Sequence, residues 1–101
     1  MSEIENVAIY REAIEKWGAN IQLLMAMEEA SELAVAISHF IRDRKGAIDE
    51  IIEETADMEI MIEQIKTIFE EENIVEKMEE IKKQKINRLK AILETGNEDI
   101  R

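Results

Sequence analysis

Residues 25–57 read MAMEEASELAVAISHFIRDRKGAIDEIIEETAD and contain two acidic pairs, Glu29 with Glu32 and Glu54 with Asp57. The members of each pair are three residues apart, so they are neighbours on the surface of a helix. At about 100° per residue, each pair lies on or beside an apolar stripe. Carboxylates on an apolar face are costly unless their charge is compensated. The two pairs therefore suggest one shared compensator, a divalent metal ion.

The ligand chemistry of these pairs favours magnesium. If the two helices pack antiparallel, four carboxylates converge, and an all-oxygen set suits Mg²⁺, with Mn²⁺ as a substitute. The set lacks the soft or imidazole ligands that zinc prefers. The single histidine, His39, does not follow an acid by three residues, as di-iron bundles require. Glu50 could join the cluster. Solvated glutamates and buried ion pairs with Lys85 and Arg88 are the alternatives.

The composition predicts one all-α domain that spans residues 1–101. The chain has no proline, three glycines and 4% aromatic residues. It has no cysteine, no secretory signal pattern and no apolar run of about 20 residues, so we expect a cytoplasmic protein without a membrane span. The net charge of −11 argues against nucleic-acid polymers and anionic membranes as partners.

Capping residues and breaks predict four helices. The predicted extents are Ser2 to Gly18, Asn20 to about Arg44, Asp49 to about Glu71 and Ile74 to about Glu94. Gly96 ends the last helix, and residues 96–101 are expected to be a frayed tail. The apolar stripes are broad for one small chain. We therefore expect a four-helix bundle that is completed by assembly into a homodimer or homotetramer.

Four further residues are candidates for substrate binding. Lys85 falls inside the apolar stripe of the fourth helix and Arg88 lies at its border, so both need an anion, either an acid of the cluster or a phosphate. Gln22 lies on the same face as Glu29 and could contact the edge of a nucleobase. Trp17 suits either a core position or a surface on which a base stacks.

The motif as a whole resembles a known family. Glu28-Glu29-Ala30-Ser31-Glu32 followed by Glu54-Thr55-Ala56-Asp57 resembles the E-E-x-x-E … E-x-x-D signature of the MazG-like all-α nucleoside triphosphate pyrophosphohydrolases. The halves are separated by 21 residues, which suits a helix-loop-helix. Lys16-Trp17-Gly18 with Gln22 and Lys85-Ile86-Asn87-Arg88-Leu89 are similar to the family's flanking segments. The resemblance covers about residues 10 to 93.

The resemblance implies a Mg²⁺-dependent enzyme that cleaves a nucleoside triphosphate to the monophosphate and pyrophosphate. Glu29, Glu32, Glu54 and Asp57 would be the metal ligands, and Lys85 and Arg88 would hold phosphate oxygens. Either Glu29 or Glu28 would orient or deprotonate the attacking water.

The sequence leaves two other functions open. Phosphoribosyl-ATP pyrophosphohydrolase belongs to the same superfamily, but its second motif usually continues A-D-L-L-Y-H, whereas Met58-Glu59-Ile60-Met61 follow Asp57 here. Ile60 and Met61 also stand where dUTP- and dCTP-cleaving relatives often carry an aromatic or polar residue. The second alternative is a non-catalytic, acidic helical module that serves oligomerisation or regulation.

Overall fold

The computed structural model describes residues 2–96, which form four α-helices and one short 3₁₀ helix. The α-helices are α1 (Glu3–Trp17), α2 (Ala19–Ile41), α3 (Ala47–Ile68) and α4 (Ile74–Thr95), and the 3₁₀ helix is Glu70–Glu72. No β-strand occurs between residues 2 and 96, so the predicted all-α class is confirmed. No helix in this range has the length and apolar composition of a membrane span. The predicted tail beyond Gly96 lies outside the described residues.

A serine begins α1 and a glycine separates it from α2. The Oγ of Ser2 accepts a hydrogen bond from the backbone N–H of Glu5 at 3.2 Å, as predicted for a cap. Gly18 has a φ of +90°, and its N–H donates to the carbonyl oxygen of Ile14 at 2.8 Å. The predicted cap at Asn20 is wrong because the chain returns to helical conformation directly after Gly18, at Ala19.

A connection of five residues, 42–46, joins α2 to α3. Asp43 and Gly46 have φ angles of +57° and +80°, and these two positions turn the chain back on itself. The predicted end of α2 at Arg44 is therefore three residues too late. Asp49 lies in the first turn of α3, as predicted, where its charge favours the positive end of the helix dipole. Short connections of this kind make consecutive helices antiparallel neighbours.

Local backbone conformation also sets the boundaries of α3 and α4. α3 ends at Ile68 rather than near Glu71, because the chain tightens into the 3₁₀ helix there. Asn73, with a φ of +55°, precedes α4 in left-handed conformation. Gly96 ends α4 as predicted, and its N–H donates to the carbonyl oxygen of Ile92 at 2.6 Å.

The chain divides into two units, one ending at Ile68 and one beginning at Phe69. In the first unit α1, α2 and α3 pack against one another, and α2 with α3 form the most extensive contact. The fully buried residues of this unit are Gln22, Ala26, Ala36, Ala47, Met61 and Gln64. The second unit contains the 3₁₀ helix and α4, in which no residue is fully buried. The single domain and the four-helix bundle stay predictions.

Candidate metal centre

Three of the four predicted ligands converge where α2 packs against α3. Glu29 comes from α2, and Glu54 and Asp57 come from successive turns of α3. Each offers a carboxylate oxygen, and these oxygens all lie within 4.8 Å of one another. The two trans ligands of an octahedral Mg²⁺ ion are about 4.2 Å apart, given bonds of about 2.1 Å. Small side-chain rotations would therefore bring all three oxygens onto one ion.

Two carboxylate oxygens in this group lack a partner. The Oε2 atoms of Glu29 and Glu54 are buried and accept no hydrogen bond from any residue in the described part of the chain. Burying a polar oxygen without a donor costs free energy, and the cost is larger when the oxygen is charged. A cation placed between the two helices would compensate both atoms. The donor chemistry and the unsatisfied oxygens thus fit a hard divalent cation.

The raised pKa values of two carboxyl groups in the site also favour a bound cation. Burial, followed by the charges of Glu32 and Asp57, raises the pKa of Glu29 above 4.5. Burial and the charge of Glu32 raise the pKa of Glu54 to about 7. Nearby like charges and desolvation both disfavour the ionised form of a carboxyl group. A bound cation would favour the ionised forms and lower both pKa values.

The remaining two acids of the first motif lie outside the three-carboxylate group. Glu32 is exposed, yet its charge raises the pKa of Glu29 and of Glu54, so it lies close enough to act on both. Its role as a fourth ligand stays a prediction. Glu28 is exposed on α2. Its role as the base that accepts a proton from water also stays a prediction.

A cleft of about 310 Å³ adjoins the metal centre and shares Glu54 with it. Its walls are formed by Ser31, Glu32, Val35, Ala36, Glu50, Glu53 and Glu54. Glu50 is hydrogen-bonded to the ring of His39, with 2.7 Å between Oε2 and Nδ1. The sequence suggested Glu50 as an additional ligand and left His39 without a role. Their pairing follows from the antiparallel arrangement of α2 and α3, and only the helix register reveals it.

Gln22 is enclosed between the helices rather than exposed to a ligand. Its side chain is 2% exposed, and its Nε2 donates to Oε1 of Gln64 at 2.5 Å. Gln64 in turn contacts the sulfur of Met61, with Nε2 3.9 Å from Sδ. The Oε1 of Gln22 has no partner among residues 2–96. Sequence reasoning missed this buried amide pair, and contact of Gln22 with a nucleobase stays a prediction.

Trp17 is 55% exposed, so the core interpretation of this residue is wrong for the single chain. The ammonium nitrogen of Lys16 lies 5.4 Å from the centre of the Trp17 ring, a distance that permits a cation–π interaction. The indole is therefore accessible to a ligand, as base stacking would require.

Lys85 and Arg88 belong to the second unit and are exposed there. Together with Leu89 and Ile92 they line a surface depression of about 270 Å³ on α4. Neither cation forms an ion pair with an acid between residues 2 and 96. Their predicted contact with phosphate stays a prediction.

Comparisons of the chain with protein families, curated proteins and solved structures found no match. The family resemblance therefore rests on the motif residues and on the site that they form.

Proposed function

We propose that the chain is a Mg²⁺-dependent nucleoside triphosphate pyrophosphohydrolase. It would convert a ribo- or deoxyribonucleoside triphosphate and water into the monophosphate and pyrophosphate. The observation that carries the proposal is the cluster of Glu29, Glu54 and Asp57, with two buried carboxylate oxygens that lack a hydrogen-bond donor. Carboxylate ligands that leave coordination positions for phosphate oxygens are typical of Mg²⁺ sites that bind nucleotides.

The metal would be held by Glu29, Glu54 and Asp57, with Glu32 as the fourth acid of the motif. Bound Mg²⁺, or Mn²⁺ in its place, supplies charge neutralisation on the phosphates and a lower pKa for water. The charge of the chain makes such a cation necessary for this substrate. A triphosphate carries several negative charges, and the protein itself has a net charge of −11.

Residues of the protein would accept the proton and bind the substrate. The oxygen of water forms a bond to the α-phosphorus, and the bond from that phosphorus to the bridging oxygen breaks as pyrophosphate leaves. A proton of the water passes to a carboxylate, either Glu29 or Glu28. In the proposal Lys85 and Arg88 bind phosphate oxygens and Trp17 stacks on the base.

The test is product analysis with a panel of NTPs and dNTPs in the presence of Mg²⁺. We expect monophosphate and pyrophosphate from the native chain. Replacement of Glu54 by Gln should lower turnover at least about a thousandfold, because metal positioning contributes several kcal/mol and about 1.4 kcal/mol corresponds to a factor of ten. The panel also ranks the bases and sugars.

A matched variant separates the site from general effects of removing a charge. Glu59 is exposed on the same helix and lies outside the three-carboxylate group, so Glu59→Gln should keep full activity. Turnover by Glu54→Gln at the native rate would contradict the metal assignment. Cleavage of phosphoribosyl-ATP alone would favour the first alternative function. No turnover of any substrate by folded, Mg²⁺-loaded protein would favour the non-catalytic helical module.

A further inference from the structure

Two polar pairs join α2 to α3, one on each side of the metal centre. His39 pairs with Glu50 near the connection between the helices, and Gln22 pairs with Gln64 near their other ends. Glu50 is exposed to solvent, whereas Gln22 and Gln64 are only 2% and 7% exposed. The proposed reaction gives this buried amide pair no role.

The amide pair has the same alignment as the metal ligands. Gln22 precedes Glu29 by seven residues on α2, and Gln64 follows Asp57 by seven residues on α3. Seven residues make about two turns, so each amide lies on the same side of its helix as a carboxylate, about 10 Å along the axis. The alignment of the helices that lets Nε2 of Gln22 donate to Oε1 of Gln64 is therefore the one that brings Glu29 to Asp57.

The contacts between the amides and the carboxylates fix this alignment poorly. The fully buried residues there are Ala26 and Met61, which are 6% and 4% exposed. Apolar contacts are non-directional, and a methionine side chain adapts to its surroundings. Small sliding or rotation of the helices therefore costs these contacts little. The carboxylates cannot hold the alignment either, because their like charges repel one another when no cation is bound.

The chain connection restrains the two helices only at the other end. Residues 42–46 join α2 to α3, and Glu29 lies twelve residues, or about 18 Å, from the end of α2 at Ile41. At that distance a change of about 5° in the angle between the helices moves the ligand by about 1.5 Å. A metal site tolerates deviations of only about 0.2 Å in its bond lengths. The metal centre thus needs a second fixed point, on the side away from the connection.

The amide pair is not the most stable choice for a buried position. Oε1 of Gln22 accepts no hydrogen bond from residues 2–96, and Nε2 of Gln64 lies 3.9 Å from the sulfur of Met61, a weak acceptor. Two apolar side chains would avoid the cost of the unsatisfied oxygen. In coiled coils, a buried polar residue that lowers stability can nevertheless fix the alignment of the paired helices.

We propose that Gln22 and Gln64 are positioning residues of the metal centre. Their hydrogen bond fixes how α2 and α3 slide and rotate against each other, and it thereby holds Glu29 opposite Glu54 and Asp57. This role rests on the proposed function, because the pair acts through the metal that the reaction needs. Mg²⁺ demands near-octahedral geometry, whereas Ca²⁺ accepts longer and more variable bonds. The pair therefore sets the preference of the site for Mg²⁺ over Ca²⁺.

The experiment measures cation binding by the full chain and by the double variant Gln22→Leu with Gln64→Leu. Electron paramagnetic resonance counts free Mn²⁺, and Mg²⁺ and Ca²⁺ are titrated as competitors. The leucines keep the contact buried but remove the directional bond. The dissociation constant for Mg²⁺ should therefore rise at least about tenfold, and that for Ca²⁺ by less than about threefold. The matched control is Gln84→Leu, at an exposed position of α4, and it should leave both constants unchanged.

A second double variant, Gln22→Met with Gln64→Met, keeps the length of both side chains and replaces the leucine variant if circular dichroism shows that the latter is unfolded. The same changes in the two dissociation constants are expected from it. A folded double variant with native affinity for Mg²⁺ would overturn the positioning role and leave the proposed function intact. An equal loss of affinity for both cations would also overturn it, because a general disturbance of the fold does not distinguish Mg²⁺ from Ca²⁺.

The same titration separates this role from the proposed function. A native chain that binds none of the three cations would overturn both. A native chain that binds Mg²⁺ but hydrolyses no nucleotide would overturn the function alone, since the titration contains no nucleotide and the positioning role is measured without turnover.

Discussion

Two sides of α2 carry opposite kinds of residue. One side carries Glu29 and Glu32, whose charges add to the effect of burial in raising the pKa of Glu54, and the other carries the exposed apolar residues Met27, Ile37 and Ile41. The first side has a carboxylate oxygen in a buried position, which is costly for a charged group. The second side exposes apolar surface to water, which is costly as well. In the proposed function a cation compensates the first side, and the expected assembly of the chain into a homo-oligomer would cover the second.

The two explanations are separable because a cation and a second copy respond to different substitutions. If both hold, Glu54→Gln abolishes the response to the cation and leaves the assembly intact, whereas Ala34→Glu, which places a carboxylate on the exposed apolar side of α2, does the reverse. A single substitution that abolished both responses would show that the two sides act as one site.

The largest effect that should separate the two sides is stabilisation by Mg²⁺. A ligand that binds only the folded chain raises the free energy of unfolding by about 2.7 kcal/mol at one hundred times its dissociation constant. Thermal unfolding with and without Mg²⁺ should show this gain in the native chain and in Ala34→Glu, and EDTA should reverse it. Glu54→Gln should show little gain. Equal gains in stability for all three proteins would mean that the ion binds somewhere other than at Glu54.

A smaller effect is expected on the side of Glu29, where Gln22 of α2 meets Gln64 of α3. Gln22→Leu leaves the buried Oε1 of Gln64 without its donor, so it should lower the free energy of unfolding by about 1–3 kcal/mol. Urea unfolding at one fixed protein concentration measures the loss. The double variant Gln22→Leu with Gln64→Leu removes both partners and should recover most of the lost stability. A double variant that loses the sum of the two single losses would show that the amides do not interact.

This amide pair also shows that contacts between two helices could not be predicted from the sequence. Helical spacing placed Gln22 on the face of Glu29, and that placement was correct within one helix. That Gln64 lies opposite depends on the register of α3 against α2, which no spacing within a helix specifies. The pair of His39 and Glu50 was missed for the same reason.

The three-carboxylate group was easier to predict, because a charged residue on an apolar face can be recognised from the sequence of a single helix. Glu29, Glu54 and Asp57 could each be recognised from its own stripe, and their convergence needed only an antiparallel hairpin. Helix ends were predicted well at Gly18 and Gly96, where the backbone adopts a positive φ that glycine tolerates best. The end of α2 was missed because Asp43, which is not a glycine, takes that conformation.

The smallest expected effect is the pH dependence of stability that the titration of Glu54 produces. Glu54 has a pKa of about 7 in the folded chain and 4.5 as its ordinary value, so between these values the folded state binds more protons than the unfolded state. Stability of the metal-free chain should therefore fall as pH rises from about 4.5 through about 7. Glu54→Gln cannot ionise at this position and should lack that part of the fall. Because Glu54 is half-buried, solvent screens its interactions and the difference should be modest.

Urea unfolding in EDTA across this pH range, on the native chain and on Glu54→Gln, measures that difference. Mg²⁺ should suppress the fall in the native chain, because a cation holds the carboxylate in its charged form. Parallel curves for the two proteins in EDTA would mean that Glu54 has an ordinary pKa and that its buried oxygen is not under electrostatic strain. A fall that persisted in saturating Mg²⁺ would mean that the ion does not contact Glu54, and the acidic side of α2 would then need a different partner. The apolar side of α2 provides the internal reference for both results, since Ala34→Glu should alter assembly only and leave the difference between the two pH curves unchanged.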